Sequence, residues 1–405
     1  MKRILAIIFI MASTMNSYSQ EKMVESNNVF ALNIYKATKP DSVNFFISPF
    51  SLNIALSAVD EGAKTSTRQE MDNLLSINSI NNRAEQYSNL IKRTMDPDGP
   101  DSKRCINWSD GTPSKNSLFL ANSLWINDEI SMENSFINEI KANYHSDIFS
   151  FNRQNISLAN KKLNEWVSKK TNNKISEISG FNNNIKLSIV NAIYFLGEWE
   201  SGFDTKMTKK KGFYTIDKRK VEIDYMKKQY RYRYYEDSEV QSLYLPYKCN
   251  QFSMIIILPR KRRGILETEN KLNINYIKKI DSLNPYSEVM LSLPKFSIES
   301  EIKPKEEIIK MGYPLMFSDT ADFTGISSKD SLKIDEVIHK TFIEIDEKKT
   351  EAVAVSKVDM VIVGYGRGNQ SPPPPKVFNA DHPFIFLIKD NRTNAILFMG
   401  RLVKK

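Results

Sequence analysis

The side chains best suited to chemistry are three histidines, two cysteines and scattered carboxylates, and their spacing builds none of the usual sites. His145, His339 and His382 stand far apart. None belongs to a His-Glu-x-x-His pair that would put two imidazoles on one helix face, so a zinc hydrolase has no support. No Gly-x-Ser-x-Gly elbow presents a serine nucleophile. Gly62-Ala63-Lys64-Thr65 has alanine where a phosphate loop needs glycine. Cys105 and Cys249 form no Cys-x-x-Cys pair, which leaves zinc ribbons and thioredoxin-type redox chemistry unsupported. The expectation is a chain that uses neither metal nor cofactor; a catalytic triad assembled from distant residues stays open, and a chain without one would act through a segment or a surface.

One segment has a pattern that suits such a role. In Glu347-Lys348-Lys349-Thr350-Glu351-Ala352-Val353-Ala354-Val355-Ser356, the residues Thr350, Ala352, Ala354 and Ser356 fall on one face of an extended strand. All are small. The opposite register carries Glu351, Val353, Val355 and Lys357, and the small face continues as Val358, Met360 and Ile362. A strand of this kind slides between two strands already in place because its inward face needs little room.

The rest of the chain must supply the body around that segment. Helical spacing dominates the first half: Leu52, Ala55, Leu56 and Val59 line one face of a helix that starts near Ser48-Pro49. Thr67 and Glu70 read as a capping box ahead of Met71, Leu74 and Leu75. Leu163, Trp166 and Val167 mark a further helix before a turn at Asn172 and Asn173. Asp96 to Ser114, rich in Pro, Gly, Asp and Ser, reads as a surface loop. From about residue 187 the pattern becomes strand-like, with runs at Leu187 to Leu196, Phe252 to Leu258 and Val289 to Phe296, and a hairpin from Phe384 to Val403. Helices first and strands later, without regular alternation, predict an α+β fold.

Lys2 and Arg3 precede an apolar run from Ile4 to Met11 and small residues at Ser17 and Ser19, the pattern of a secretory leader over residues 1–19. The run is too short to span a bilayer, so residues 20–405 are expected to form one exported domain with no membrane span. Two cysteines cannot be the scaffold of a chain this long; one bridge or two thiols both fit. Sequons begin at Asn107, Asn155, Asn369 and Asn391, candidate glycosylation sites on surface loops.

The ordered motifs along the mature chain resemble those of the serpins. Asn44-Phe45-Phe46-Ile47-Ser48-Pro49-Phe50-Ser51 resembles the family's early helix entry, and Asn191-Ala192-Ile193-Tyr194-Phe195 with Gly197, Trp199 and Phe203 its central strand. Leu293-Pro294-Lys295-Phe296, Ala321-Asp322-Phe323-Thr324-Gly325-Ile326, His339-Lys340, Asp381-His382-Pro383-Phe384 and Phe398-Met399-Gly400-Arg401 follow in the family's order. The resemblance implies three β-sheets with eight or nine helices and an exposed reactive-centre loop over about residues 347–377. It also implies a secreted monomer that captures a target serine protease. Serpin loop insertion is a known instance of strand addition.

By the same resemblance, Glu347, Thr350, Ala352, Ala354 and Ser356 form the hinge that inserts first. The family usually has glycine just before the threonine; here it is Lys349. Ser48, Ser51, Asn191 and His339 match a polar cluster under the strands that must part, while Glu347, Lys295 and Trp199 match a group at the top of the sheet. The family's spacing from Glu347 puts the reactive bond at Val363-Gly364, suiting an elastase-like protease; Tyr365-Gly366 would suit a chymotrypsin-like one and Arg367-Gly368 a trypsin-like one. Basic runs at Lys206 to Lys228 and Arg260 to Arg263, in a chain of net charge +9, suit either solvated charge or a heparin-like glycosaminoglycan. Nucleic acid is not an expected partner of an exported chain.

Overall fold

The computed structural model describes residues 2–95, 116–347 and 373–404. In chain order the first stretch holds α1 (Lys2–Thr38), β1 (Phe45–Ile47), α2 (Pro49–Asp60), α3 (Thr65–Leu75) and α4 (Arg83–Met95). Next come β2 (Ser117–Asn127), α5 (Asn134–Asn143), β3 (Asp147–Phe151), α6 (Ile156–Lys170), β4 (Leu187–Leu196), β5 (Lys209–Tyr214) and β6 (Lys220–Glu236). β7 (Val240–Pro246), β8 (Phe252–Pro259), α7 (Ile265–Lys271), α8 (Ile274–Ser282), β9 (Tyr286–Pro294) and β10 (Phe296–Ile302) follow. The chain closes with α9 (Lys305–Lys310), β11 (Glu336–Ile345), β12 (Lys376–Asn379), β13 (Phe384–Asp390) and β14 (Ile396–Leu402). This is the expected α+β layout, and the described residues contain nine α-helices.

Local chemistry accounts for several element ends. Ser48 is extended, its hydroxyl accepts from the Ser51 N–H at 3.2 Å, and Pro49 takes the first helical position, where its missing N–H costs nothing. Every residue of α2 is buried. The expected capping box does not form, because α3 begins at Thr65, two residues before Thr67. Thr67 Oγ1 instead accepts from Asp322 N at 2.8 Å, and Glu70 Oε1 from Leu315 N at 2.6 Å. Both side chains are engaged by a neighbouring loop rather than by their own helix end. After α6 the chain turns at Asn172 and Asn173, which adopt φ values of 51° and 59° that asparagine tolerates.

The strand runs at 187–196 and 252–259 form as read, and β13 and β14 make the expected antiparallel hairpin. The run from Val289 to Phe296 is not one strand. β9 ends at Pro294, which has no N–H to continue its ladder, and Lys295 N bonds Asp224 O at 2.8 Å. Phe296 then starts β10 in a different sheet.

Two hydrogen-bonded sheets organise the body. The five-stranded sheet has the order β10-β11-β4-β2-β3, with β4 and β11 parallel at its centre. The other is a nine-stranded path, β1-β14-β13-β8-β7-β6-β9-β12 with β5 on β6. Two of the three anticipated sheets run together here, because the 17-residue β6 pairs in turn with β5, β9 and β7. One face of the five-stranded sheet meets α2 and the large apolar core. On the other face, Leu163 and Val167 of α6 join Val190, Ala192 and Ile338 in a smaller separate cluster. No helix among the described residues is long and apolar enough to cross a membrane.

Candidate functional site

The seam between β4 and β11 is the natural centre of any strand-insertion chemistry, and a row of polar side chains crosses it. The register sets His339 of β11 beside Asn191 of β4, and Asn191 beside Asn122 of β2. All three sit among apolar neighbours, where an unsatisfied polar group is costly. They satisfy one another and the entry to α2. Asn191 Nδ2 donates to Ser51 Oγ and to Asn122 Oδ1, and Asn191 Oδ1 meets His339 Nδ1. His339 Nε2 lies 3.0 Å from the backbone N of Ser48, which donates to it, and Ser48 Oγ donates to Leu397 O at 2.8 Å.

These contacts fix the tautomer of His339. Nε2 accepts from a backbone N–H that has no other role to play, so the single ring proton resides on Nδ1 and points at Asn191. A second proton would set two donors face to face. Burial lowers the His339 pKa to about 3, in keeping with a neutral ring. The structure thus brings Ser48, Ser51, Asn191 and His339 together, all buried. It adds Asn122, which sequence reading had passed over. A polar residue in the middle of the apolar run from Leu118 to Ile126 was the available signal.

At the top of the seam the pairing stops. The parallel ladder runs from Glu336↔Ser188 to Phe342↔Tyr194, whereas β11 continues to Ile345 and β4 to Leu196. A small cavity lies where β4 and β11 part, lined by Phe195, Gly197, Trp199, Tyr247, Glu344, Ile345 and Asp346. Trp199 stacks on Tyr247 with ring centres 4.5 Å apart and donates its indole N–H to Asp346 O at 3.0 Å. Lys295 Nζ lies 2.6 Å from Glu347 Oε2, and Thr208 donates to the same carboxylate. Burial works to raise the Glu347 carboxyl, but the hydrogen bonds from Lys295 and Thr208 outweigh it and hold it below the usual range. Lys295, Trp199 and Glu347 thus converge, with Thr208 as an unforeseen fourth partner.

Thr350, Ala352, Ala354, Ser356, the three candidate reactive bonds from Val363 to Gly368, and the sequons at Asn107 and Asn369 lie outside the described residues. So does Cys105; Cys249 is disulfide-bonded. Asn155 is exposed and caps α6 through its Oδ1, leaving Nδ2 available. Asn391 differs. Its Nδ2, the atom a glycan would occupy, donates to Asn250 O and Oδ1 and to Ser253 Oγ at 2.8–3.0 Å. The two basic runs meet in space, where Arg262 lies 3.7 Å over the Tyr214 ring and Lys220 packs near the same ring at 5.5 Å.

Comparison with known proteins agrees with this geometry. The sequence profile described as Serpin (serine protease inhibitor) matches residues 25–405. An uncharacterized serpin-like protein of Methanosarcina acetivorans is 32% identical, over 96% of this chain and 90% of its own length. The leukocyte elastase inhibitor of Xenopus laevis is also 32% identical, over 88% of this chain and 92% of its own. The native-state structure of Tengpin, a thermophilic serpin, superposes with a TM-score of 0.81 at 28% identity, covering 95% of this chain and 94% of that one. Members of this family are typically protease inhibitors and mostly extracellular. Over nearly its whole length the chain belongs to the serpin family.

Proposed function

We propose that this chain is an extracellular suicide-substrate inhibitor of a chymotrypsin-fold serine protease. The observation that carries the reading is the seam: a parallel β4–β11 pair whose register ends at Phe342 and Tyr194, just before the chain leaves β11. A strand that doubles back from β11 runs antiparallel to β11, and therefore antiparallel to β4 as well. Its entry replaces one parallel pairing, the weaker kind per residue, with two antiparallel ones. Thr350, Ala352, Ala354 and Ser356 supply the small face such a strand needs.

In this reading the protease serine oxygen bonds the carbonyl carbon of Val363 and the Val363-Gly364 bond breaks. The new amine leaves with a proton delivered by the enzyme's histidine. The acyl-linked enzyme then travels with the inserting strand, on the order of 45 Å for Thr350 to Val363 at about 3.3 Å per residue. That exceeds the radius of gyration of a chain this size, roughly 20 Å, so the enzyme is carried across the body and its catalytic groups are pulled out of register. The hinge is Thr350 to Ser356; Ser48, Ser51, Asn122, Asn191 and His339 hold the seam shut until it opens. The similarity to an inhibitor named for leukocyte elastase supports an elastase-like target, with chymotrypsin-like and trypsin-like enzymes as the alternatives at Tyr365 and Arg367.

The leader at residues 1–19 supports export, and we take the protein to act as a monomer. The two basic runs joined at Tyr214 support a heparin-like polysaccharide as a second partner. Lys349, where glycine is usual, favours a different reading in which the protein is a non-inhibitory carrier, storage protein or chaperone. Incubation with elastase, chymotrypsin and trypsin separates the two. Inhibition gives a conjugate that survives SDS and a released peptide beginning at Gly364. Cleavage without any conjugate, and without a gain in thermal stability, overturns the inhibitor assignment.

A further inference from the structure

The turn that follows β4 carries Trp199 over the open end of the seam, and it is held from two sides. On one side Trp199 bridges Tyr247 through the backbone and stacks on its ring, and Glu200 N bonds Pro246 O at 3.0 Å. On the other side stands Lys228 of β6. Its ammonium donates to Ser201 Oγ and, at 2.6 Å, to Gly202 O, so it grips two consecutive residues just beyond Trp199. The Tyr230 ring lies 5.2 Å from the same nitrogen. Burial lowers the Lys228 pKa, and among the described residues neither of its oxygen partners is a carboxylate. A half-buried cation offered only neutral oxygens and a ring is a poor bargain for stability alone. Its bonds do constrain the turn whose Trp199 donates to Asp346 O.

We propose that Lys228 is a positioning residue that, by gripping Ser201 and Gly202, keeps Trp199 against Tyr247 and Asp346 and so limits how fast the top of the β4–β11 seam opens. This rests on the insertion reading above and assigns its control point to a strand outside the sheet that receives the loop. The grip reaches the seam by a short path: Lys228 to the Ser201 hydroxyl and the Gly202 carbonyl, through Glu200 to Trp199, and from the indole to Asp346 O.

The test uses the full mature chain and a synthetic peptide with the sequence of Thr350 to Val363 as the probe. Uptake is followed by native electrophoresis, and Trp199 emission is isolated by subtracting the spectrum of a Trp199→Phe protein. Loss of hydrogen bonds from a charged donor predicts that Lys228→Met takes up the peptide about tenfold faster and shifts Trp199 emission toward that of exposed indole. Lys228→Arg, which restores paired donors, should return both readouts to within about twofold of wild type. Unchanged uptake together with unchanged Trp199 emission in Lys228→Met overturns the proposal. If no form takes up the peptide, the insertion reading fails, and an unshifted Trp199 emission in Lys228→Met then rejects the grip as well.

Discussion

His339 should make this protein lose stability in mild acid, over a pH range in which few carboxylates titrate. Its ring is neutral in the fold, with a pKa lowered by burial to about 3, against about 6.5 in an unfolded chain. The unfolded state therefore binds more protons between these values. The contribution is fully present above pH 6.5 and is lost as pH falls from there toward 3. At pH 5 the loss is about 1.5 pH units at about 1.4 kcal/mol each, or about 2 kcal/mol. His339→Gln removes the titration while keeping a side chain that can accept from Ser48 N–H and donate to Asn191. Urea unfolding of both proteins from pH 5 to 7.5 should show the wild-type advantage shrinking by that amount as pH falls. The other two histidines are common to both and cancel in the difference. Parallel profiles would refute the neutral, doubly hydrogen-bonded ring.

If the protein inhibits as proposed, Thr350→Arg should turn it into a substrate, cut at a normal rate without forming a conjugate, because a cation would have to enter the sheet interior; unchanged inhibition would remove Thr350 from the hinge. Glu347→Gln should cost about 1–2 kcal/mol in thermal or urea unfolding, since the Lys295 contact loses its charge but Lys295 is about one-third exposed and can turn to solvent. In a glycosylating host, peptide mass mapping should find Asn155 modified and Asn391 bare, because a glycan on Asn391 must break three hydrogen bonds that hold the 250–253 turn.

Residue type revealed elements wherever one rule governed the local chain. Leu187 to Leu196 is buried along nearly its whole length and reads as one strand-like run despite Ser188 and Asn191, and Ser48-Pro49 announces a helix by capping and fixed φ alone. The failures occur where long-range partners decide. Thr67 and Glu70 have the spacing of a box, yet Asp322 and Leu315, some 250 residues away, claim them. The break at Lys295 depends on β9 and β10 having different partners, which no local window contains. α1 extends through Thr38 with Phe30, Ala31, Ile34 and Tyr35 in the core, but of this stretch only the leader-like pattern over residues 1–19 was read from the sequence.

The candidate site divides in the same way. Ser48, Ser51, Asn191 and His339 came from ordered motifs, and the fold places them within hydrogen-bond reach. Thr208 carried no signal, because its role arises only when the segment after β4 folds over Glu347. Lys228 was counted among a basic run, and only its burial and its grip on residues 201–202 set it apart from the solvated lysines around it.

Hydrogen exchange on the cleaved protein tests the central idea most directly. After the loop is cut at Val363, backbone amides of β4 and β11 that face each other above Tyr194 and Phe342 should slow by orders of magnitude, and those of Thr350 to Ser356 should become protected with them. Cleavage that leaves both sets exchanging as before would mean that no strand enters between β4 and β11.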